Sequence, residues 1–566
     1  MSGKSTQKKS TTKANKLTGK GKAILHVLFL LVICGVFVVN YRAFFDPKLD
    51  PNGDNISYFL LAKALAEGQG YVDIIPPVPQ PHVHFPPGYP MFMSVFLHVF
   101  PDNINAMKIL NGILFLLSVL MLFRIVRKTA GGNLWLAFGV CFLTVMHPSL
   151  LRWSVVMMSE MLYMVISFGI ILICLDLDVG RIFTKGKKDW LQVARLVLLC
   201  LLVISAYLVR TMGISVVLAA CLAFGVTALK YLIKRDKRWI KPVIVAVALG
   251  VSLVIAHTGW TARNKRVYPD FKSDYNSGFM YTDKMEKMTP ELWGKRISSN
   301  VGEFVSSWIP NAMLRPKEAM DHNKHDKPTA GGLALGSVLI LLMAFGVSKL
   351  KKGRTLIFSY LLITFAVLML YQEQYAGVRY FIPVLPLMIL AALNGIYEGV
   401  KSLGELALKK EERLIPTAFV ILACVLLISP YMKGQTVYRN LATYETYVDL
   451  NPGSDLSHYI MAAEWIKEHA GNDAVIACRK PEVAFMYSGF RHAVRFPLRG
   501  DEKDVLDFFK NSGANCLIVD TWGKHAYTVI YPVLQKHQEA FPVYYVGPED
   551  DRGAPTIVTA YLPSKL

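Results

Sequence analysis

The chain has 566 residues, of which 53% are hydrophobic and only 18% charged, with a formal net charge of +21. Soluble domains carry nearer a quarter charged residues, and here the charges lie between apolar runs long enough to cross a bilayer core of about 30 Å. This excludes an ordinary soluble protein. It also points away from nucleic acid, because the Lys and Arg residues fall in short segments beside apolar runs, where they act as topology signals.

Residues 1–22 are rich in Lys, Ser and Thr and contain no acidic residue, which predicts a disordered basic cytoplasmic tail. No small-residue cleavage site follows the first apolar run, so 23–40 reads as an anchoring span. Residues 41–104 form a first outer loop. Its stretch from Asp46 to Pro90 is polar and rich in Pro and Gly, with aromatics and a helical apolar patch at 56–65. Further spans are expected at about 105–123, 134–147, 160–175, 193–209, 213–229 and 242–260, then 332–347, 355–371, 380–397 and 415–431. That gives about eleven. Basic residues Arg124, Arg127 and Lys128, then Arg181, Lys185, Lys187 and Lys188, then Lys230, Lys234, Arg235, Lys237, Arg238 and Lys241, and finally Lys349, Lys351, Lys352 and Arg354 mark one side as inner. The second long outer segment, 261–331, carries amphipathic patterns near Trp293 and Trp308. The unit 23–431 is thus a polytopic helical membrane module, with the N-terminus inside.

Residues 432–566 look soluble. A helix at 457–469 has an apolar stripe of Ile460, Ala463 and Ile466 with Trp465 beside it; buried strands are expected at 474–478 and 516–520, and a second helix at 501–511. The alternation predicts a small extracytoplasmic α/β domain. Six of the eight cysteines (Cys34, Cys141, Cys174, Cys200, Cys221, Cys424) lie in apolar runs and read as packing residues. Cys478 and Cys516 lie in the polar C-terminal region, where a disulfide is one option.

Few groups could do chemistry. Asp54 precedes the helical patch of the first outer loop; it suits an N-terminal cap, and equally a general base taking a proton from a hydroxyl. Glu160 stands at the outer mouth of a span, where an ionisable group faces either solvent at a helix start or a cavity. His82 and His84 alternate along an extended segment. They are commonly plain pocket or surface residues, and become metal ligands only with further donors, for which Asp54 and Glu160 are the candidates; a divalent metal ion is therefore a candidate cofactor. Arg210, Arg263 and Arg379 all fall at outer ends of spans. Snorkelling to headgroups explains such residues; a shared phosphate site would use their planar forks.

Taken together, these motifs resemble the GT-C glycosyltransferases, in particular the protein O-mannosyltransferase and aminoarabinose transferase group. The similarity rests on D-x-x-x-Y at Asp54–Tyr58, on A-x-x-L-x-x-G-x-G-Y from Ala62 to Tyr71 and on PPGYP at Pro86–Pro90. It continues with Ser159–Glu160, the LVRTMG corner at Arg210, W-x-x-R-N at Trp260–Asn264, R-Y-x-x-P-x-x-P at Arg379–Pro386 and the C-terminal WIKEH…VIACRKP. The resemblance implies a polyprenyl-phosphate-linked sugar donor, a hydroxyl acceptor, the lipid bilayer as a partner and inversion at the anomeric centre. By the same token Asp54 is the expected base, Glu160 a second acidic position, and Arg210 and Arg379 the groups that hold the lipid phosphate; Tyr58, Tyr380 and Arg263 within the matched motifs are further substrate- and phosphate-binding candidates, and His82 and His84 are candidates on their place in the loop alone. One departure is Asn55, where mannosyltransferases of proteins carry a Glu, so the acceptor stays open among protein, lipid and glycan. A transporter or flippase of lipid-linked sugar and a non-catalytic envelope assembly protein are the alternative readings. The expected location is a bacterial inner membrane with the site facing the periplasm, since the sequon Asn55-Ile56-Ser57 would put a glycan beside the base in the endoplasmic reticulum.

Overall fold

A computed structural model describes residues 19–51, 53–182, 189–271, 279–281, 286–314, 328–372, 378–408, 413–521, 526–550 and 552–565. Most of the expected N-terminal tail, Lys185, Lys187, Lys188 and parts of the second outer segment lie outside the described residues.

The helices run in chain order as α1 (Gly19–Phe44), α2 (Gly53–Ala66), α3 (Gly88–Leu97), α4 (Ile104–Thr129), α5 (Leu134–Met146), α6 (Pro148–Ser154) and α7 (Glu160–Asp176). Next come α8 (Asp189–Val209), α9 (Ile214–Ile233), α10 (Ile240–Val267), α11 (Pro290–Glu303), α12 (Ile309–Leu314), α13 (Ala330–Ser348) and α14 (Arg354–Leu370). Then α15 (Leu385–Leu408) and α16 (Leu414–Leu441) complete the bundle. By length and composition, seven of these can cross a membrane (α1, α4, α8, α9, α10, α13 and α16), or eight if α5 and α6, bent by 62° at His147, count as one broken span. Among the described residues that is fewer than the eleven spans expected. α7 and α14, with 17 residues each or about 25 Å of helix, stand at the lower limit of a span. α15 carries Glu398, Lys401 and Glu405, and it starts at Leu385 rather than 380, because Pro383 cannot donate to a helical ladder. Its first half is buried, so that apolarity serves the core.

The bundle has two chemically distinct ends. At one, Lys128 pairs with Asp176, Lys351 donates its backbone N–H to Thr129 at 2.8 Å, and Arg124 reaches Asp176 at 3.2 Å. At the other lie the N-termini of α2 and α7 and the break between α8 and α9. Close helix packing there requires glycine: a Cβ on Gly88, the glycine of PPGYP, would stand 2.8 Å from the backbone of Leu208 in α8.

The first outer loop is folded. α2 is followed by a short antiparallel pair, β1 (Val72–Asp73) with β2 (Gln80–Pro81), and then by α3. Beyond α16, which runs ten residues past the expected boundary at 431, come α17 (Tyr447–Leu450), α18 (Asp455–His469), α19 (Pro481–Tyr487), α20 (Glu502–Ser512) and α21 (Tyr531–Lys536). They surround a five-stranded sheet made of β3 (Ile476–Cys478), β4 (Ala493–Arg495), β5 (Cys516–Val519), β6 (Val543–Glu549) and β7 (Pro555–Ala560). Its order is β4-β3-β5-β7-β6, with β3 parallel to β4 and β5, and β7 antiparallel to β5 and β6. Cys478 and Cys516 sit in β3 and β5 as free, buried thiols, so no disulfide joins them. The sheet's edge meets the first outer loop: the backbone N–H of Ala493 donates to Ile75 O at 3.0 Å, and the Tyr487 hydroxyl donates to Leu49 O at 3.2 Å.

Candidate active site

Four charged side chains from four separate parts of the chain meet at the end of the bundle opposite Lys128 and Asp176. Asp54 lies in the first turn of α2 with its carboxyl 40% exposed, and Glu160 lies in the first turn of α7, fully buried. Arg379 bridges them: Nη2 donates to Asp54 Oδ2 at 3.0 Å and Nε to Glu160 Oε1 at 3.0 Å. Arg210 Nη1 lies 2.8 Å from the same Glu160 oxygen and donates to Ser159 Oγ at 3.1 Å. A buried carboxylate is strongly destabilising unless paired; Glu160 meets two guanidinium groups, and among the described residues its Oε2 has no hydrogen-bond partner.

Local structure explains each placement. Arg210 is in extended backbone between the end of α8 and a one-turn 3-10 helix (Thr211–Gly213), so its side chain leaves the helical stack. Arg379 sits in another 3-10 turn, Val378–Phe381, just before α15. Its guanidinium lies 5.1 Å from the ring of Trp153 and 5.9 Å from that of Tyr380, contacts that favour a cation over an aromatic face. Ser159 precedes α7 but does not cap it with its side chain; its hydroxyl instead takes the Arg210 bond and lies 3.5 Å from the Tyr58 hydroxyl. Burial pushes the Tyr58 hydroxyl up to about 12 despite the opposing pull of Arg210.

Of the sequence-predicted residues, the structure thus gathers Asp54, Tyr58, Glu160, Arg210, Arg379 and Tyr380. Arg263 and the histidines form a separate neighbourhood. Arg263 donates to the backbone oxygens of His82 and, at 3.2 Å, of Tyr71, and stacks over Tyr71 and Trp260. It braces the outer loop rather than extending the carboxylate–guanidinium cluster. His82 accepts the Phe85 backbone N–H on Nε2 at 2.9 Å and stacks on the Phe85 ring. Burial, with His84 and Arg263 adding like-charge repulsion, pushes the His82 imidazole down to about 3. The proposed metal set of Asp54, Glu160, His82 and His84 does not assemble: among the described residues no three His, Cys, Asp or Glu side chains converge as ligands. Asp54 and Glu160 each spend one oxygen on arginine, and His82 spends a ring nitrogen on the backbone.

Sequence reasoning missed Trp153 and Asn111. The first was visible only as one aromatic among many in the outer turn. The second gave a clearer signal, a polar residue inside an apolar run. Nor did it find the ionic buttress under α2, in which Arg152 pairs with Asp50 and the buried Lys108 donates to Asp46 O at 2.7 Å.

No family model matches the sequence, and no curated protein matches it. Solved structures do. The aminoarabinose transferase ArnT of Cupriavidus metallidurans, bound to undecaprenyl phosphate, aligns with a TM-score of 0.56 at 12% identity over 97% of this chain and 99% of that one. The apo oligosaccharyltransferase of Archaeoglobus fulgidus aligns with a TM-score of 0.54 at 13% identity over 95% of this chain and 74% of its own. The archaeal oligosaccharyltransferase AglB from the same organism, in complex with an inhibitory peptide and a dolichol-phosphate, gives 0.54 at 12% identity over 96% and 75%. The chain is a multi-pass membrane protein with the GT-C fold of these glycosyltransferases.

Proposed function

We propose that this protein is an inverting glycosyltransferase that moves a sugar from a polyprenyl-phosphate donor to a hydroxyl acceptor at the outer face of the membrane. The observation that carries the reading is Arg379, held between Asp54 and Glu160 at 3.0 Å from each, with Arg210 on the same Glu160 oxygen. In the reaction, the acceptor oxygen forms a bond to the anomeric carbon while its proton passes to the Asp54 carboxylate. The bond from that carbon to the phosphate oxygen breaks, and the phosphate leaves with the electron pair. Arg379 and Arg210 stabilise the charge that builds on it, and they are already oriented by Glu160 before the reaction starts. Asp54 is the more exposed carboxylate and so the one an acceptor can reach; the buried Glu160 serves as the fixed counter-ion.

A lipid-borne donor is supported by an apolar cavity of about 230 Å³ between α13, α14 and residues 304–309, lined by Phe304, Ile340, Met343, Phe358 and Phe365 among others. Phe381, two residues from Arg379, packs against Phe304 and Phe365 at ring distances of 5.8 and 6.0 Å. Apolar packing thus links the wall of that cavity to the residue two positions from Arg379. The basic ends of α4 and α13 lie at the opposite end of the bundle, which supports a cytoplasmic N-terminus and an extracytoplasmic site; a bacterial inner membrane is the compartment we assign.

The test is transfer of label from undecaprenyl-phosphate-linked radioactive sugars to endogenous acceptors in membranes carrying wild-type protein or Asp54→Asn. Wild-type membranes should yield a labelled product. Asp54→Asn should lower the rate by about 10²- to 10⁴-fold at normal protein levels. Unchanged turnover in that variant ends the base assignment, and no wild-type transfer from any such donor ends the reading as a whole.

A further inference from the structure

Between α6 and α7 the chain leaves regular structure at residues 155–159, yet Val155, Val156, Met157, Met158 and Ser159 are all buried. Irregular backbone in such a place needs partners for its polar groups. Two asparagine side chains supply them. Asn55 Oδ1 accepts the Met157 backbone N–H at 2.7 Å, while Asn55 Nδ2 donates to Asp50 O at 2.9 Å. Asn111 Nδ2 donates to Val156 O and, at 3.1 Å, to Met158 O; its Oδ1 accepts the Tyr89 hydroxyl at 3.1 Å. Both residues are essentially inaccessible.

We infer that Asn55 and Asn111 are positioning residues that set the spacing between Asp54 and Glu160. Asn55 follows Asp54 directly and reaches across to the segment that ends at Glu160, so a single side chain ties the two carboxylate-bearing stretches together. Asn111 holds the same segment from α4. Arg379 can donate to both carboxylates at 3.0 Å only at the spacing this clamp fixes. The chemistry also accounts for an amide at 55: the position must donate on one side and accept on the other, and a carboxylate has no hydrogen to give. What the spacing is for rests on the proposed glycosyl transfer; the clamp does not.

The experiment has two arms, run on full-length Asn55→Leu and Asn111→Leu protein. In the first, hydrogen–deuterium exchange of the detergent-solubilised variants should be faster in peptides covering 155–160, with peptides from the C-terminal sheet unchanged. Wild-type exchange at 155–160 in both variants overturns the inference. In the second, transfer from the undecaprenyl-phosphate-linked sugar used above should fall by up to about 100-fold in maximal rate, the size of loss a misplaced catalytic group brings. The donor KM should stay near wild type. A maximal rate equal to that of wild type, once scaled for folded protein, also overturns it. If wild-type protein transfers nothing, the glycosyltransferase reading fails while the exchange arm still decides the clamp. Where Asn55→Leu does not accumulate in membranes, Asn55→Ala takes its place in both arms.

Discussion

Arg379 is the residue whose chemistry is least replaceable. It donates from two different nitrogens of one planar group to two carboxylates, and lysine has a single ammonium that cannot span both. We expect Arg379→Lys to lose most transfer activity while remaining folded. Arg379→Ala should also destabilise the protein by about 3–5 kcal/mol, because Glu160 stays buried with one cation fewer. Thermal unfolding of both variants in detergent checks the split, and an Arg379→Ala midpoint equal to that of wild type would refute it. His82 gives a prediction in pH. Its folded-state value is about 3, against about 6.5 for an unperturbed imidazole, so the unfolded chain takes up a proton first. Its stabilising contribution is complete above about pH 6.5 and is lost as pH falls from there towards 3. His82→Gln keeps an acceptor for Phe85 without titrating, and it should show a shallower fall in unfolding midpoint between pH 7 and 4.5. Identical slopes for the two proteins would rule the assignment out.

Among the elements, α2 and α3 carry the first outer loop against the bundle, and their junctions are tight. The Cβ added by Gly88→Ala would press on the backbone of Leu208, which cannot yield as a side-chain tip can. Overpacking of this kind costs about 1–3 kcal/mol, and the change should lower both the unfolding midpoint and the transfer rate; a midpoint equal to that of wild type would show that α3 can shift freely. At this scale the sequence was a good guide where periodicity or capping chemistry decides. The helix at 501–511 appears as Glu502–Ser512 with Asp501 in a capping box, and the helix at 457–469 as Asp455–His469. It is ambiguous where apolarity has two explanations. α7 and the first half of α15 are covered by other parts of the chain, and a buried helix and a short span look alike in one dimension.

For the whole molecule, the chain's order of outer and inner segments is the claim most open to direct measurement. A membrane-impermeant maleimide applied to intact spheroplasts should label Glu445→Cys, beyond α16, and leave Lys234→Cys, beyond α9, unlabelled until the membrane is opened. The reverse pattern would invert the proposed orientation. The site was legible from sequence as a set of candidates at one membrane level, but not as a constellation. Asp54, Glu160, Arg210 and Arg379 are up to 325 positions apart, and nothing in linear order distinguishes Arg379, which joins the cluster, from Arg263, which braces a loop instead. Their difference lies in the direction a side chain takes at a helix break, a property of packing. The way Arg379 is shared between two carboxylates also bears on timing. The guanidinium engages one Asp54 oxygen, and the two cations and two anions of the cluster sum to zero. Under the proposed transfer, an arriving phosphodiester would compete for that guanidinium and so release the Asp54 oxygen it holds. Under the same proposal, water entering alone would find that oxygen still engaged, a guard against hydrolysis of the donor.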